Sequence, residues 1–350
     1  MKTKLIISVL IAVCAVFVPI MAARQQSTAM AAEKEAKRIS AEETESGEGA
    51  QPQPENTPDY DIKTPVESTK VNVLMGDGQA REMELEEYLV GVVAGEMPAS
   101  FNTEALKAQA VAARTYTLYK ILVSPSANHK EDVCTDPACC KAYSDEETLR
   151  AKWKDSYNAN MEKITGAVWS TRGEYMVYDG QPVLAVFHSS SAGATESSGR
   201  VWNSDLPYLV SVQSPETAAD VKNYVSELVV SQSDFRDTVL AKHPEAELSG
   251  ECADWIRGIE YTESGRIQTI DIGGAVIKGT ELRSMFGLRS TAAQIEVKGG
   301  DIVFTVTGYG HGVGMSQYGA DVMAGEGKTY REILQWYYTG VAFGIISEPF

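Results

Sequence analysis

The chain is short of positive charge. Its 31 lysines and arginines face 48 aspartates and glutamates, for a formal net charge of -17 over 350 residues. A surface with that balance repels nucleic acid and anionic lipid head groups, so neither is expected as a partner. Regular βαβ alternation is missing, which argues against a doubly wound sheet. No internal repeat occurs. The one stretch of alternating glycines, Gly308 to Gly314, does not end in Gly-Lys-Ser/Thr, so it is not a phosphate loop. No Gly-x-Ser-x-Gly elbow surrounds His188. Cysteine is scarce at five residues, and one of them, Cys14, lies inside an apolar run.

That run, Leu5 to Ala23, follows Lys2 and Lys4 and carries no charge. It is close to the roughly 20 residues a bilayer span needs. Its flanking charges put residues 1–4 in the cytoplasm and the bulk outside. We expect a retained transmembrane signal anchor over 5–23. The rival is a cleaved signal peptide, since Met21-Ala22-Ala23 offers small residues near a cut. Residues 24–66 are poor in aromatics and rich in Ala, Glu, Ser, Gln and Pro, which reads as a disordered linker. About 40 coil residues reach roughly 35 Å on average, so the anchor tethers the rest without pinning it. Residues 67–350 form the expected ectodomain.

Within it, Lys70–Met75 reads as a strand with a Gly76-Asp77-Gly78 turn. Glu84–Ala94 reads as a helix with Leu85, Leu89, Val92 and Val93 on one face. Pro98 ends it. Asn102 or Thr103 caps a second helix running to Leu122. Val168–Phe187 alternates as strands. Hairpins are expected over Trp255–Ile272 and Gln294–Thr307, a short helix over Glu281–Phe286, and helices over Met315–Ala324 and Thr329–Tyr338. The fold class is α+β: mixed helices and hairpins in one ectodomain, with room for two lobes.

Four segments carry chemistry. Glu96 stands at a proline-forced break beside Val92, Val93, Met97 and Phe101. Burial there raises a carboxyl pKa and suits a general acid; a surface glutamate at a helix end is the alternative. His129, Cys134, Cys139 and Cys140 fall within twelve residues, a composition that suits zinc. Either His129, Cys134 and Cys140 bind with Cys139 turned away, or all four close a structural site; a disulfide to Cys252 is the third option. His188 and Ser189 open a small polar segment after an apolar strand, where binding loops sit. Tyr309, His311, Gln317 and Tyr318 flank the alternating glycines and offer the flat faces and paired polar groups that sugars need.

Two runs carry a family resemblance: Glu96-Met97-Pro98 with Glu104-Ala105-Leu106-Lys107-Ala108-Gln109-Ala110-Val111-Ala112-Ala113-Arg114, and Gly310-His311-Gly312-Val313-Gly314-Met315-Ser316-Gln317. With them the chain from about Val71 onward resembles the stage II sporulation protein D family of peptidoglycan lytic transglycosylases. The resemblance implies that Glu96 is catalytic and that zinc sits at His129, Cys134 and Cys140. Many relatives carry histidine where this chain has Cys139, which makes Cys139 an alternate ligand. It implies cleavage of MurNAc-GlcNAc bonds in denuded glycan strands during spore engulfment. The implied partners are a stage II sporulation protein P-like amidase and a protein M-like membrane partner. The implied location is the mother-cell membrane, with the ectodomain facing the intermembrane space. Lys107, Gln109 and Arg114, on or near one face of the helix after Glu96, are further substrate-contact candidates.

The chemistry fits a single acid. A glycoside hydrolase normally uses two carboxylates, and only Glu96 presents itself. A lytic transglycosylase can work with one. Two alternatives stay open: a glycan-binding activator of the amidase without catalysis of its own, and a zinc hydrolase.

Overall fold

The computed structural model describes residues 69–202 and 204–347. The expected anchor and linker lie outside the described residues. Among the described residues, no helix is long and apolar enough to cross a membrane. Helices and small sheets mix around two hydrophobic cores, an α+β arrangement.

The first core begins with β1 (Lys70–Leu74) and β2 (Ala80–Glu84), paired antiparallel. Gly78, at φ 80°, supplies the left-handed residue of their turn. α1 (Leu85–Glu96) follows at once. It is buried on more than the expected face, since Tyr88, Val90 and Ala94 are also enclosed. Pro98 biases the residue before it toward extended backbone. Met97 accordingly sits at φ -126°, ψ 140°, and α1 stops at Glu96. α2 (Thr103–Leu122) is the central helix, packed on α1 and on later helices, with Ala105, Ala108, Ala112 and Ala113 enclosed. Small side chains let those neighbours approach its backbone. Asn102 holds the N-cap position, but its side chain makes no cap bond. Its amide instead donates to Asp321 Oδ1 at 2.9 Å.

β3 (Val133–Cys134) pairs parallel to β1 and carries the first metal-site cysteine. α3 (Glu146–Trp153) and α4 (Tyr157–Ser170) come next, neither expected from the sequence. Val168 therefore ends a helix, and the strands of this region begin only at β4 (Glu174–Tyr178), followed by β5 (Gln181–Pro182) and β6 (Phe187–His188). A short helix, α5 (Ser198–Val201), leads out of the first core.

The second core is built from one continuous stretch. It holds β7 (Val225–Val230), α6 (Gln232–Leu240), the meander β8 (Ile256–Tyr261), β9 (Ile267–Ile272) and β10 (Ala275–Lys278), then α7 (Gly279–Phe286), β11 (Ala293–Lys298) and β12 (Asp301–Thr307). β12 is the middle strand of β11-β12-β7, all antiparallel. Both expected hairpins are present, with Gly265, Gly299 and Gly300 at positive φ in their turns. Phe235, Phe286 and Phe304 stack at the centre of this core.

The chain then returns to the first core. β13 (Met315–Ser316) pairs in parallel with β6, Met315 opposite Phe187 and Ser316 opposite His188. α8 (Gln317–Gly325), α9 (Tyr330–Tyr337) and β14 (Ala342–Ile345) complete it. The expected helix from Met315 thus begins two residues later. Ser316 is its N-cap and accepts from Gly319 N–H. The second core is therefore an insertion whose two ends meet beside β6.

Candidate active site and metal centre

Glu96 is the last residue of α1 and is half-buried. Its Oε1 accepts from Ala142 N–H at 2.9 Å. Burial raises its pKa above the usual carboxylate value, opposed by the Lys141 charge and the Ala142 bond. Lys141 is itself enclosed, its Nζ 4.0 Å from the Tyr116 ring centroid and 3.8 Å from that of Phe187. Burial pulls the Lys141 ammonium down to about 8, with Glu96 holding it up.

Two glycines make this approach possible. Gly91 and Gly95 are one turn apart on α1. A Cβ at Gly91 would strike the Tyr143 ring, and one at Gly95 would come within 3.3 Å of the Ala142 carbonyl. The bare backbone forms a groove in which residues 142–144 lie, and Ser144 N–H donates to Gly91 C=O at 3.0 Å. The groove is what brings Ala142 N–H to Glu96.

From the other side comes α8. Gln317 Nε2 donates to the Glu96 carbonyl at 3.1 Å and to Gln109 Oε1 at 3.4 Å. Gln109 is fully buried on α2. Residues 96, 109 and 317 thus meet although the chain separates them widely.

The segment that supplies Lys141 and Ala142 starts in a cluster of four possible ligands. His129, Cys134, Cys139 and Cys140 place one ligand atom each within 4.8 Å of one another. His129 Nδ1 donates to Glu131 C=O at 2.9 Å, which leaves Nε2 free to ligate, 3.6 Å from Cys140 Sγ. Cys139 Sγ lies 3.9 Å from Cys140 Sγ and accepts from Asn128 Nδ2 at 3.7 Å. Metal–sulfur bonds of about 2.3 Å at tetrahedral angles separate ligands by roughly 3.5–3.8 Å, so the cluster fits such a metal. Cys139 belongs to the set and does not turn away. All four cysteines of the described residues are free, and Cys252 donates its thiol to Gly300 C=O at 3.3 Å far from the cluster's residues in sequence.

The glycine loop, 308–314, forms the remaining wall. Gly310 is at φ 117°, and a Cβ there would lie 2.7 Å from His188 Cβ. His188 is buried in the loop's base. Its Nδ1 donates to Val313 C=O at 3.2 Å, and its Nε2 accepts from Ser191 Oγ at 2.7 Å. Burial holds its pKa well below the ordinary histidine value. No acid completes a triad, and this pair staples the loop. Ser189 contributes its carbonyl, which accepts Tyr318 N–H at 3.0 Å. His311 accepts Val313 N–H at Nδ1 and faces the Trp202 ring, centroids 5.3 Å apart. Burial, then Lys141, push its pKa down to about 3. Tyr309 stands 46% exposed at the loop's outer edge.

Two expected contacts lie elsewhere. Arg114 is fully buried, with Nε donating to Glu86 Oε1 at 3.0 Å and Nη1 to Glu174 C=O at 2.9 Å. Every direction in which it could meet a substrate is filled by the core. Lys107 pairs with Glu104 at 2.7 Å. Sequence reasoning missed Lys141, Ala142 and Trp202. Position beside the metal motif was the available signal for the first two.

Comparison with known proteins places the chain among relatives. The sequence profile of the Stage II sporulation protein family matches residues 77–178, the stretch that holds Glu96 and the metal cluster. Stage II sporulation protein D of Bacillus subtilis is 40% identical over 258 residues, 73% of each chain. Its counterpart from Bacillus amyloliquefaciens is 39% identical over 260 residues, again 73% of each. A third relative, the Amidase enhancer of Bacillus subtilis, is 30% identical over 302 residues, 72% of this chain and 39% of its own. The chain belongs to the stage II sporulation protein D family.

Proposed function

We propose that this protein is a lytic transglycosylase that cuts the MurNAc-GlcNAc bond of peptidoglycan glycan strands. The observation that carries the reading is Glu96: one half-buried carboxyl, raised in pKa by burial and held in place by a backbone N–H. The acids of the adjoining loops are already committed. Glu216 accepts from Ser191 N–H, Ser214 Oγ and Ser316 Oγ, and Glu196 from Ser197 N–H and Ser264 Oγ. Among the described residues, neither of these carboxylates is left free to act as base or nucleophile.

One residue suffices for this chemistry. Protonated Glu96 gives its proton to the glycosidic oxygen as the bond to the muramic acid C1 breaks. The resulting carboxylate takes the proton of the C6 hydroxyl. The C6 oxygen attacks C1 and closes a 1,6-anhydro ring, so no water is consumed. Lys141 stabilises the carboxylate between the two proton transfers. Gln317 and Gln109 fix the Glu96 backbone, while Trp202 and Tyr309 offer faces for sugar rings.

His129, Cys134, Cys139 and Cys140 would hold zinc as a closed set of four. A closed zinc site supplies folding energy and leaves no position for a reactive water. That weighs against a zinc hydrolase. The Amidase enhancer relative supports a second role beside the first, assistance to a cell-wall amidase that strips stem peptides. With the basic-flanked apolar run near the N-terminus, we place the protein on the cell membrane during sporulation, its folded part outside.

Products from peptide-free glycan test the proposal. Wild-type protein is expected to release anhydro-muramic ends, and Glu96→Gln to lower that rate by about 10²–10⁴-fold. Release of reducing ends in place of anhydro ends, or wild-type turnover by Glu96→Gln, would sink it. Retained amidase stimulation by Glu96→Gln would show the second role to be separate.

A further inference from the structure

Two arginines flank the glycine loop without an acidic partner among the described residues. The Arg289 guanidinium lies 4.4 Å from the Tyr309 ring centroid, and its shielded Nε has no hydrogen-bond partner. Arg283 donates Nε to Leu288 C=O at 3.1 Å and has the Tyr309 phenol as its electrostatic neighbour. Among the described residues neither joins an ion pair. In a chain with 48 acids, two neighbouring arginines left unpaired are conspicuous. A third arginine, Arg266, lies beneath Gly312 with Glu196 and Glu216 as charge neighbours; its guanidinium nitrogens have no hydrogen-bond partner, but it is fully enclosed, so it belongs to the loop's packing.

The surroundings say what these arginines face. Tyr309 is 46% exposed and Trp202 36%, and His311 lies against Trp202. His311 has both Lys141 and Arg283 as charge neighbours. The Tyr309 face, which suits a sugar ring, therefore sits next to an unpaired guanidinium group. An unpaired guanidinium is built to take a carboxylate or phosphate through two parallel N–H bonds.

In the proposed substrate, each muramic acid bears a 3-O-lactyl group. With a stem peptide attached, its carboxyl is a neutral amide. Once the peptide is removed, it is a carboxylate, and the glycan backbone carries no other anion. We infer that Arg283 and Arg289, beside the Tyr309 ring, bind the free lactyl carboxylate and so select strands already stripped of peptide. The inference rests on the glycan reading above and adds the residues that discriminate within it.

Binding by the full chain carrying Glu96→Gln tests it, because that measurement does not need cleavage. Two forms of one peptide-free glycan are compared: the native carboxylate form, and the form whose carboxyls have been coupled to methylamine. Charge-assisted hydrogen bonds predict about ten-fold or more tighter binding of the carboxylate form. Adding Arg283→Gln and Arg289→Gln is expected to bring the carboxylate form down to the affinity of the amide form and leave the latter unchanged. Equal affinity of the parent for both forms overturns the inference, and that arm requires no arginine variant to fold. A preference that survives both arginine substitutions overturns it as well. Failure of the lytic reading would appear in the product analysis and leave this preference standing.

Discussion

At the scale of single residues, the protein sets a carboxyl and an ammonium against each other under partial burial. Burial raises the Glu96 pKa and Lys141 lowers it, with burial the larger effect. In the proposed reaction the acid form of Glu96 acts first. Its fraction falls ten-fold per pH unit above its pKa. We therefore expect kcat/KM to be flat on the acid side and to fall on the alkaline side, beginning above the ordinary glutamate value. Lys141→Met removes the cation that favours the carboxylate, so it should move that alkaline limb to higher pH. A limb that stays in place when Lys141 is replaced, measured over the range where the protein remains folded, would remove Glu96 as its source.

At the scale of elements, α2 does more structural than chemical work. Arg114 ties α2 to α1 through Glu86 and to β4 through the Glu174 carbonyl. Arg114→Ala leaves Glu86 buried without its cation, and breaking such a pair costs about 3–5 kcal/mol. Urea unfolding should show that loss, while glycan affinity of the remaining folded protein should be unaltered. Seven positions apart on a helix, Lys107 and Arg114 do share a side. The sequence could not reveal that this side meets solvent near Lys107 and the core near Arg114. Other elements read well because their signals are local: the glycines of two hairpin turns, Pro98 after α1, and the uninterrupted helix formers of α2. α3 is short and polar with only Leu149 buried. The last turn of α4 holds Val168 and Trp169, residue types that read equally well as a strand. That His129, Cys134, Cys139 and Cys140 come together was legible from their clustering in sequence. Lys141 and Ala142 were not, because they matter only once the glycine groove of α1 has drawn a distant loop across it.

At the scale of the whole molecule, the metal cluster and the acid are mechanically continuous. Cys140, Lys141 and Ala142 are consecutive, so the last ligand lies two residues from the N–H that holds Glu96. Metal binding by closed cysteine sites is folding energy. Chelation should therefore lower the melting temperature, and hydrogen exchange at Ala142 and Ser144 should accelerate before exchange in the second core does. Turnover is expected to decline with that local protection. A chelated protein with intact Ala142 protection and no turnover would instead assign the metal a direct part in the reaction.

The parallel pairing of β6 with β13 also has a bearing on biosynthesis. Glu96 leaves the ribosome early, yet Gln317, which binds its carbonyl, and the glycine loop that faces it arrive only after the entire second core has been translated. Contacts across such a separation form late and slowly. A nascent or truncated chain thus carries Glu96 without the contacts from Gln317 and the glycine loop, and the proposed catalytic centre comes into being only after the second core and Gln317 have been made.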